Sequence, residues 1–182
     1  MIKKVTLVLS IIMFFFKSNS FGNYEKIFFD FKIESLTGEV IDFKDYQGKV
    51  VLLVNTASYC GFTNQYADLQ QLWDNYKNKG LIVLAIPSNS FNQEKNLNEE
   101  IRKFCEINFN INFPISTITN VKGDNAHEIF KWANENYGKS AIPKWNFHKI
   151  LINKSGKIED TYTSFTRPTS KKIINKIEKL LN

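Results

Sequence analysis

Two uninterrupted apolar runs, separated by an amphipathic segment, dominate the hydrophobic pattern of the chain. Residues 49–54 (KVVLLV) and 81–86 (LIVLAI) lack polar alternation and therefore predict strands buried on both faces. Between the runs, apolar side chains recur at helical spacing, and Gly80 ends the segment. These apolar residues are Tyr66, Leu69, Leu72, Trp73 and Tyr76. The order strand, helix, strand predicts two parallel strands joined by a right-handed crossover.

Shorter elements flank this unit on both sides. Upstream, residues 28–33 and 40–43 alternate around a Thr37-Gly38 turn and predict a β-hairpin. Downstream, we expect three helices, one that begins near Asn98, one over 124–136 and one that begins near Thr169. We also expect a short strand over 114–118 and a second hairpin, formed by 147–152 and 158–163. The chain is therefore predicted to be an α/β protein with a central mixed sheet flanked by helices and an N-terminal β-hairpin.

The first twenty residues predict a secretory signal peptide. Lys3 and Lys4 precede an apolar run over 5–16, and small residues, Ser18 and Ser20, follow it. The run is too short to span a bilayer comfortably, so we expect cleavage and export to the periplasm or outside the cell. An uncleaved membrane anchor is the alternative. Residues 21–182 are expected to form one domain.

Composition and charge narrow the function classes. The formal net charge of +6 includes three lysines of residues 1–20, which leaves +3 on residues 21–182 and no case for nucleic-acid binding. A hydrophobic content of 43% with 16 phenylalanines indicates a globular core. His127 and His148 are isolated in the sequence, so no metal site is predicted, and no cofactor is expected.

Cys60 is the first candidate for chemistry, because it lies in the turn from the first buried strand to the helix. Free N–H groups at a helix start favour an anion, and the thiolate is the reactive form of cysteine. Open α/β sheets also build their sites at the carboxyl ends of strands. The alternative is a buried cysteine that acts as a small hydrophobic residue.

The strand, the cysteine before a helix, the second strand and the terminal ββα unit look like a thioredoxin fold. A disulfide oxidoreductase of that fold needs a second thiol three positions after the first, where this chain has Thr63. A peroxiredoxin would carry threonine in place of Ala57, and a copper-delivering protein would carry cysteine in place of Asn64. All three classes are disfavoured.

Three further segments carry a resemblance to a known family. They are Val54-Asn55-Thr56-Ala57-Ser58-Tyr59-Cys60-Gly61-Phe62-Thr63, Pro87-Ser88-Asn89-Ser90-Phe91-Asn92-Gln93-Glu94 and Lys144-Trp145-Asn146-Phe147. In these three segments, the sequence resembles the glutathione peroxidase family in its cysteine-containing form. The resemblance implies a catalytic tetrad of Cys60, Gln93, Trp145 and Asn146. It also implies that Cys60 attacks a peroxide and becomes a sulfenic acid, while the other three donate hydrogen bonds.

The middle segment departs from the family pattern. The family usually has Phe-Gly-Gly-Gln-Glu, whereas this loop is one residue shorter and has no glycine. We therefore expect Asn92 to adopt the backbone angles that glycine supplies elsewhere. Ser88 also replaces a cysteine found in some members, so no thiol is available there.

Regeneration of Cys60 has two alternative routes. A small thiol such as glutathione could reduce the sulfenic acid, or Cys105 could resolve it as a disulfide that a thioredoxin-like protein then reduces. The alternative for Cys105 is a core cysteine, since it shares an apolar helix face with Ile101 and Phe104. The resemblance also implies a monomer, because only residues 137–144 separate the predicted helix from Trp145.

Two other functions stay open at this level. One is a general thiol–disulfide exchange protein, which Thr63 disfavours. The other is a non-catalytic redox sensor that signals through a bridge between Cys60 and Cys105. In such a sensor Gln93, Trp145 and Asn146 would be superfluous.

Overall fold

A computed structural model describes residues 24–182, and the predicted signal peptide over 1–20 lies outside the described residues. The strands are β1 (Lys32–Glu34), β2 (Val40–Asp42), β3 (Val50–Thr56), β4 (Leu81–Pro87), β5 (Lys149–Ile152) and β6 (Ile158–Tyr162). The α-helices are α1 (Gln65–Tyr76), α2 (Asn98–Phe109), α3 (Glu128–Tyr137) and α4 (Lys171–Leu181). In the described part of the chain, no helix is both long and apolar enough to cross a membrane.

Four strands form the central sheet in the order β4-β3-β5-β6. Strands β3 and β4 are parallel, whereas β5 is antiparallel to both β3 and β6. The mixed sheet is therefore confirmed, and so is the crossover through α1. Strands β1 and β2 pair separately as the predicted hairpin.

Every residue of β3 and β4 is buried, because helices cover both faces of the sheet. Alternate residues of a strand point to opposite faces. Leu52 packs in a cluster with side chains of α1, α2 and α4, and its neighbour Leu53 packs in a second cluster with α3. This double burial explains why the two central strands read as continuous apolar runs.

Two of the predicted strands are wrong in part. Phe28–Asp30 is a turn of 3-10 helix, since the Asp30 carboxylate accepts the Ile27 N–H at 2.8 Å and the Phe28 ring stacks on Phe43 at 4.5 Å. Residues 114–118 make only two isolated bridges, Ala85 with Ile115 and Ser35 with Ser116. They connect the N-terminal hairpin to the edge of the main sheet at β4.

Two helices begin later than their periodicity predicts. Helix α3 starts at Glu128, where Nδ1 of His127 accepts the Ile129 N–H at 3.3 Å, and not at residue 124. Helix α4 starts at Lys171 and not at Thr169.

Candidate active site

Cys60 lies in a loop of turns between β3 and α1, and 7% of its surface is exposed. The N–H of Phe62 faces the sulfur, with nitrogen and Sγ 3.5 Å apart. Helix α1 begins only at Gln65, so the N–H that faces the thiol belongs to the loop and not to the first helical turn.

Thr63 takes a structural role where a disulfide oxidoreductase would have its second cysteine. Its hydroxyl accepts the N–H of Cys60 at 3.1 Å and lies 2.7 Å from the Cys60 carbonyl oxygen and 3.0 Å from that of Ala57. One side chain therefore fixes the backbone on both sides of the thiol. Its hydroxyl cannot exchange disulfides.

Two of the predicted tetrad residues meet directly. Asn146 is fully buried, and its Nδ2 donates to Oε1 of Gln93 at 2.9 Å. The backbone carbonyl of Gln93 accepts the N–H of Tyr59 at 2.9 Å, which places this loop against Cys60. Asn92 has a φ of 57°, so it adopts the left-handed conformation expected where the family has glycine.

Trp145 forms the exposed side of the site, with 42% of its surface accessible. Its ring packs on Phe91 at a centroid distance of 5.4 Å. Trp145 therefore packs against the loop that carries Gln93.

Asn55, a polar residue inside buried β3, holds the turn that carries Trp145 and Asn146. Its Nδ2 donates to the Trp145 carbonyl at 3.2 Å, and its Oδ1 accepts the His148 N–H at 3.0 Å. The turn is strained, because Phe147 has a φ of 60°. Sequence reasoning gave Asn55 no role, although a polar residue in an apolar strand needs partners and is a signal in itself.

Glu94 is a second residue without a role in the sequence prediction. Its buried Oε1 accepts the N–H of Ser58 at 3.0 Å and that of Lys95 at 2.8 Å. Burial raises the pKa of this carboxyl group, and the hydrogen bonds partly offset that effect. Glu94 therefore joins the loop before Cys60 to the loop that carries Gln93.

Cys105 lies on α2 and is 1% exposed. Burial raises the pKa of its thiol to about 12; the Tyr66 hydroxyl opposes this shift, and Glu94 adds to it. Both cysteines are free, and both belong to the apolar cluster between the sheet and α1, α2 and α4. The structure thus places Cys105 in the core and does not bring it to Gln93, Trp145 and Asn146.

The two histidines have separate environments. His127 caps α3, and His148 is buried beside the site, where burial, Lys149 and Lys144 lower its pKa to about 4. Among residues 24–182, no group of histidine, cysteine and carboxylate side chains could hold a metal ion.

Comparisons with known proteins identify the family of the chain. A family model described as glutathione peroxidase matches residues 28–134. The glutathione peroxidase-like peroxiredoxin gpx1 of Schizosaccharomyces pombe is 39% identical over 85% of this chain and 98% of its own length. The hydroperoxy fatty acid reductase gpx1 of Synechocystis is 40% identical over 84% of this chain and 95% of its own.

Solved structures lead to the same family. The crystal structure of Trgpx in its apo form has a TM-score of 0.68 and 36% identity, covering 86% of this chain and 96% of its own. A putative thioredoxin from Neisseria meningitidis has a TM-score of 0.58 at 22% identity, which shows the fold alone. The chain therefore has a thioredoxin fold, belongs to the glutathione peroxidase family and is a peroxidase-type oxidoreductase.

Proposed function

We propose that the protein is a thiol peroxidase that reduces hydrogen peroxide and organic hydroperoxides through Cys60. The observation that carries this proposal is the Cys60 loop itself. A nearly buried thiol with a backbone N–H directed at its sulfur lies in a loop that is hydrogen-bonded to the loop of Gln93, and the amide of Gln93 pairs with that of Asn146.

The first half-reaction oxidises sulfur and reduces the peroxide. The Cys60 thiolate attacks one oxygen, a sulfur–oxygen bond forms, and the O–O bond breaks. The second oxygen leaves as hydroxide or alkoxide and takes a proton to become water or an alcohol. Cys60 is left as a sulfenic acid.

Fixed neutral donors suit this step, because negative charge moves from sulfur to the departing oxygen. The amide groups of Gln93 and Asn146 and the indole N–H of Trp145 are donors of this kind. The bond between Asn146 and Gln93 orients both amides before the peroxide arrives, so little reorganisation is needed during the reaction.

The second half-reaction returns Cys60 to the thiol by one of two routes. In the first, a small thiol such as glutathione condenses with the sulfenic acid, releases water and forms a mixed disulfide, and a second molecule of the thiol then releases the Cys60 thiol and leaves as the disulfide of the two small thiols. In the second, Cys105 condenses instead, and a thioredoxin-like protein reduces the internal disulfide. The second route needs the two Cα atoms within about 7 Å, so α2 must open around Cys105.

Trapping of the sulfenic acid tests the first half-reaction. One equivalent of hydrogen peroxide followed by dimedone should label Cys60 in a Cys105→Ser protein, as read by mass spectrometry of peptides. The matched Cys60→Ser protein should take no label. If Cys60 in the Cys105→Ser protein carries no dimedone label, the proposed function is wrong.

We also propose that the protein is exported, on the basis of residues 1–20, and that it acts as a monomer. Cell fractionation that leaves the full chain in the cytoplasm would contradict export. Sedimentation at micromolar concentration that shows a tetramer would contradict the monomer.

A further inference from the structure

Four buried polar side chains beside the site form a continuous series of hydrogen bonds, and the proposed mechanism uses only one of them. The series runs from Lys149 of β5 through Gln65 of α1 and Ser164, in the loop after β6, to Asn146. None of the four residues is more than 6% exposed. Because the burial of polar groups is costly unless each group is paired, these bonds have a role to explain.

The series ends at the backbone of Asn146. The Ser164 hydroxyl donates to the Asn146 carbonyl oxygen at 2.6 Å, and Nδ2 of Asn146 bonds Oε1 of Gln93 at 2.9 Å. The next residue, Phe147, has a φ of 60°. A strained backbone keeps its conformation only where surrounding contacts fix it, and the Ser164 hydroxyl is one of these contacts.

Gln65 joins this turn to the loop of the thiol. Its backbone N–H donates to the Phe62 carbonyl at 2.9 Å, and the N–H of Phe62 faces the Cys60 sulfur. Its side-chain Nε2 donates to the Ser164 carbonyl at 2.6 Å. One residue at the start of α1 therefore contacts both the segment that faces the sulfur and the loop that holds Asn146.

Lys149 fixes the orientation of the Gln65 amide. Its Nζ donates to Oε1 of Gln65 and to the Thr166 carbonyl, so the amide turns its oxygen to the lysine and its nitrogen to Ser164. The opposite orientation would set donor against donor at the lysine and acceptor against acceptor at the Ser164 carbonyl. The lysine thus gives the series of bonds a single arrangement.

We infer that Ser164, Gln65 and Lys149 are positioning residues that hold the amide of Asn146 in place relative to the thiol loop. The inference rests on the proposed function and adds three residues to the same site. These residues act on Asn146 through hydrogen bonds and not on the peroxide itself. Their loss should therefore cost less than loss of the Asn146 amide, because the donor is displaced but still present.

Two isosteric variants at position 164 test the inference. Ser164→Thr keeps the hydroxyl and Ser164→Val lacks it, while both enlarge the side chain equally. The second-order rate constant for oxidation of Cys60 by hydrogen peroxide should be about tenfold lower in Ser164→Val than in Ser164→Thr, since misplacement by 1 Å costs up to about 100-fold. Ser155→Ala, which removes an exposed hydroxyl, should react like the unchanged protein. Equal rate constants for the two variants at position 164 would overturn the inference.

A variant at position 65 covers the case in which Ser164→Val does not fold. In Gln65→Glu, the carboxylate still accepts from Lys149 but has no N–H for the Ser164 carbonyl, so the same rate constant should again fall about tenfold. Gln71→Glu is the matched control, because it makes the same change at an exposed position of α1. If both glutamate variants react equally fast, Gln65 does not position Asn146.

The side-chain amide resonances of Asn146 separate this inference from the proposed function. In a Cys60→Ser background, they should differ between Ser164→Val and Ser164→Thr, because displacement of Asn146 alters its bond to Gln93. This measurement needs no turnover, so it still reads the position of Asn146 if peroxide does not oxidise Cys60. Identical Asn146 resonances in the two proteins would contradict the inference even in a fully active peroxidase.

Discussion

At the residue scale, side chains buried near Cys60 mainly hold loop backbone in place. Asn55 holds the turn with Trp145, Thr63 holds the loop of the thiol, and Glu94 joins two loops. Asn146 is the exception, because its Nδ2 bonds another side chain while its Oδ1 is buried without a partner. We therefore propose that Asn146 takes part in the reaction and that the other three residues position the loops.

Replacing Asn146→Ala should lower the rate constant for oxidation of Cys60 by hydrogen peroxide about 100-fold, as removal of one fixed donor does elsewhere. Stopped-flow measurement of the first turnover gives this value without any reductant. Asn125→Ala is the matched control, since Asn125 is exposed, and it should react like the unchanged protein. Equal rate constants for the two variants would remove Asn146 from the reaction.

At the element scale, α2 decides how Cys60 is regenerated. The helix keeps Cys105 in the core, and exposed ion pairs of Arg102 with Glu99 and Glu106 run along its outer face. Exposed ion pairs of this kind contribute little to the free energy of unfolding, about 0–1 kcal/mol each. Opening of α2 is therefore opposed mainly by the burial of its apolar side chains, Ile101 and Cys105 among them.

If Cys105 is the resolving cysteine, the Cys105→Ser protein should still reduce one equivalent of peroxide. A thioredoxin-like reductant should then fail to return it to the reduced form. Cys60 would then stay open to irreversible overoxidation. Mass spectrometry of the peroxide-treated, unchanged protein provides the direct readout, which should be an intramolecular disulfide of Cys60 with Cys105. A lasting sulfenic acid or glutathione adduct on Cys60, with Cys105 still free, would make Cys105 a core residue only.

At the scale of the whole molecule, a buried lysine connects the sheet with the C-terminal loop. Lys149 of β5 is fully buried, and its Nζ donates to Oε1 of Gln65 and to the Thr166 carbonyl. Burial lowers the pKa of Lys149 to about 7, although Asp68 opposes the shift. Arg167 forms a bidentate ion pair with Asp68 at 2.7 and 2.8 Å. This pair neutralises much of the Asp68 charge, so Asp68 offsets only part of the lowering of the Lys149 pKa.

This lysine should make stability depend on pH. Between pH 7 and about 10.4, the unfolded chain keeps the proton on Lys149 while the folded protein has lost it. The free energy of unfolding should therefore rise with pH, by about 2 kcal/mol from pH 6.5 to 8.5. Urea unfolding under reducing conditions measures this slope, and Lys149→Met should lose it.

Lys139→Met, which changes an exposed lysine, should keep the slope and serves as the control. A slope that is the same in Lys149→Met and in the unchanged protein would mean that Lys149 stays charged in the fold.

The sequence predicts the central architecture well, because the burial of β3 and β4 is visible in the local sequence as two continuous apolar runs. It also predicts the left-handed Asn92, since the loop lacks glycine. The roles of Asn55 and Glu94 depend on partners 90 and 36 residues away, which no local pattern encodes. The turn at Phe28 and the bridges at Ile115 depend in the same way on tertiary contacts that override strand propensity.

The most direct test of the proposed peroxidase activity is the rate at which hydrogen peroxide oxidises Cys60. Stopped-flow mixing of the reduced protein with excess peroxide, followed by counting of the remaining Cys60 thiol, gives a second-order rate constant. We expect a constant at least 100-fold above that of free cysteine, because fixed donors such as Asn146 contribute on that order. A constant no greater than that of free cysteine would contradict it.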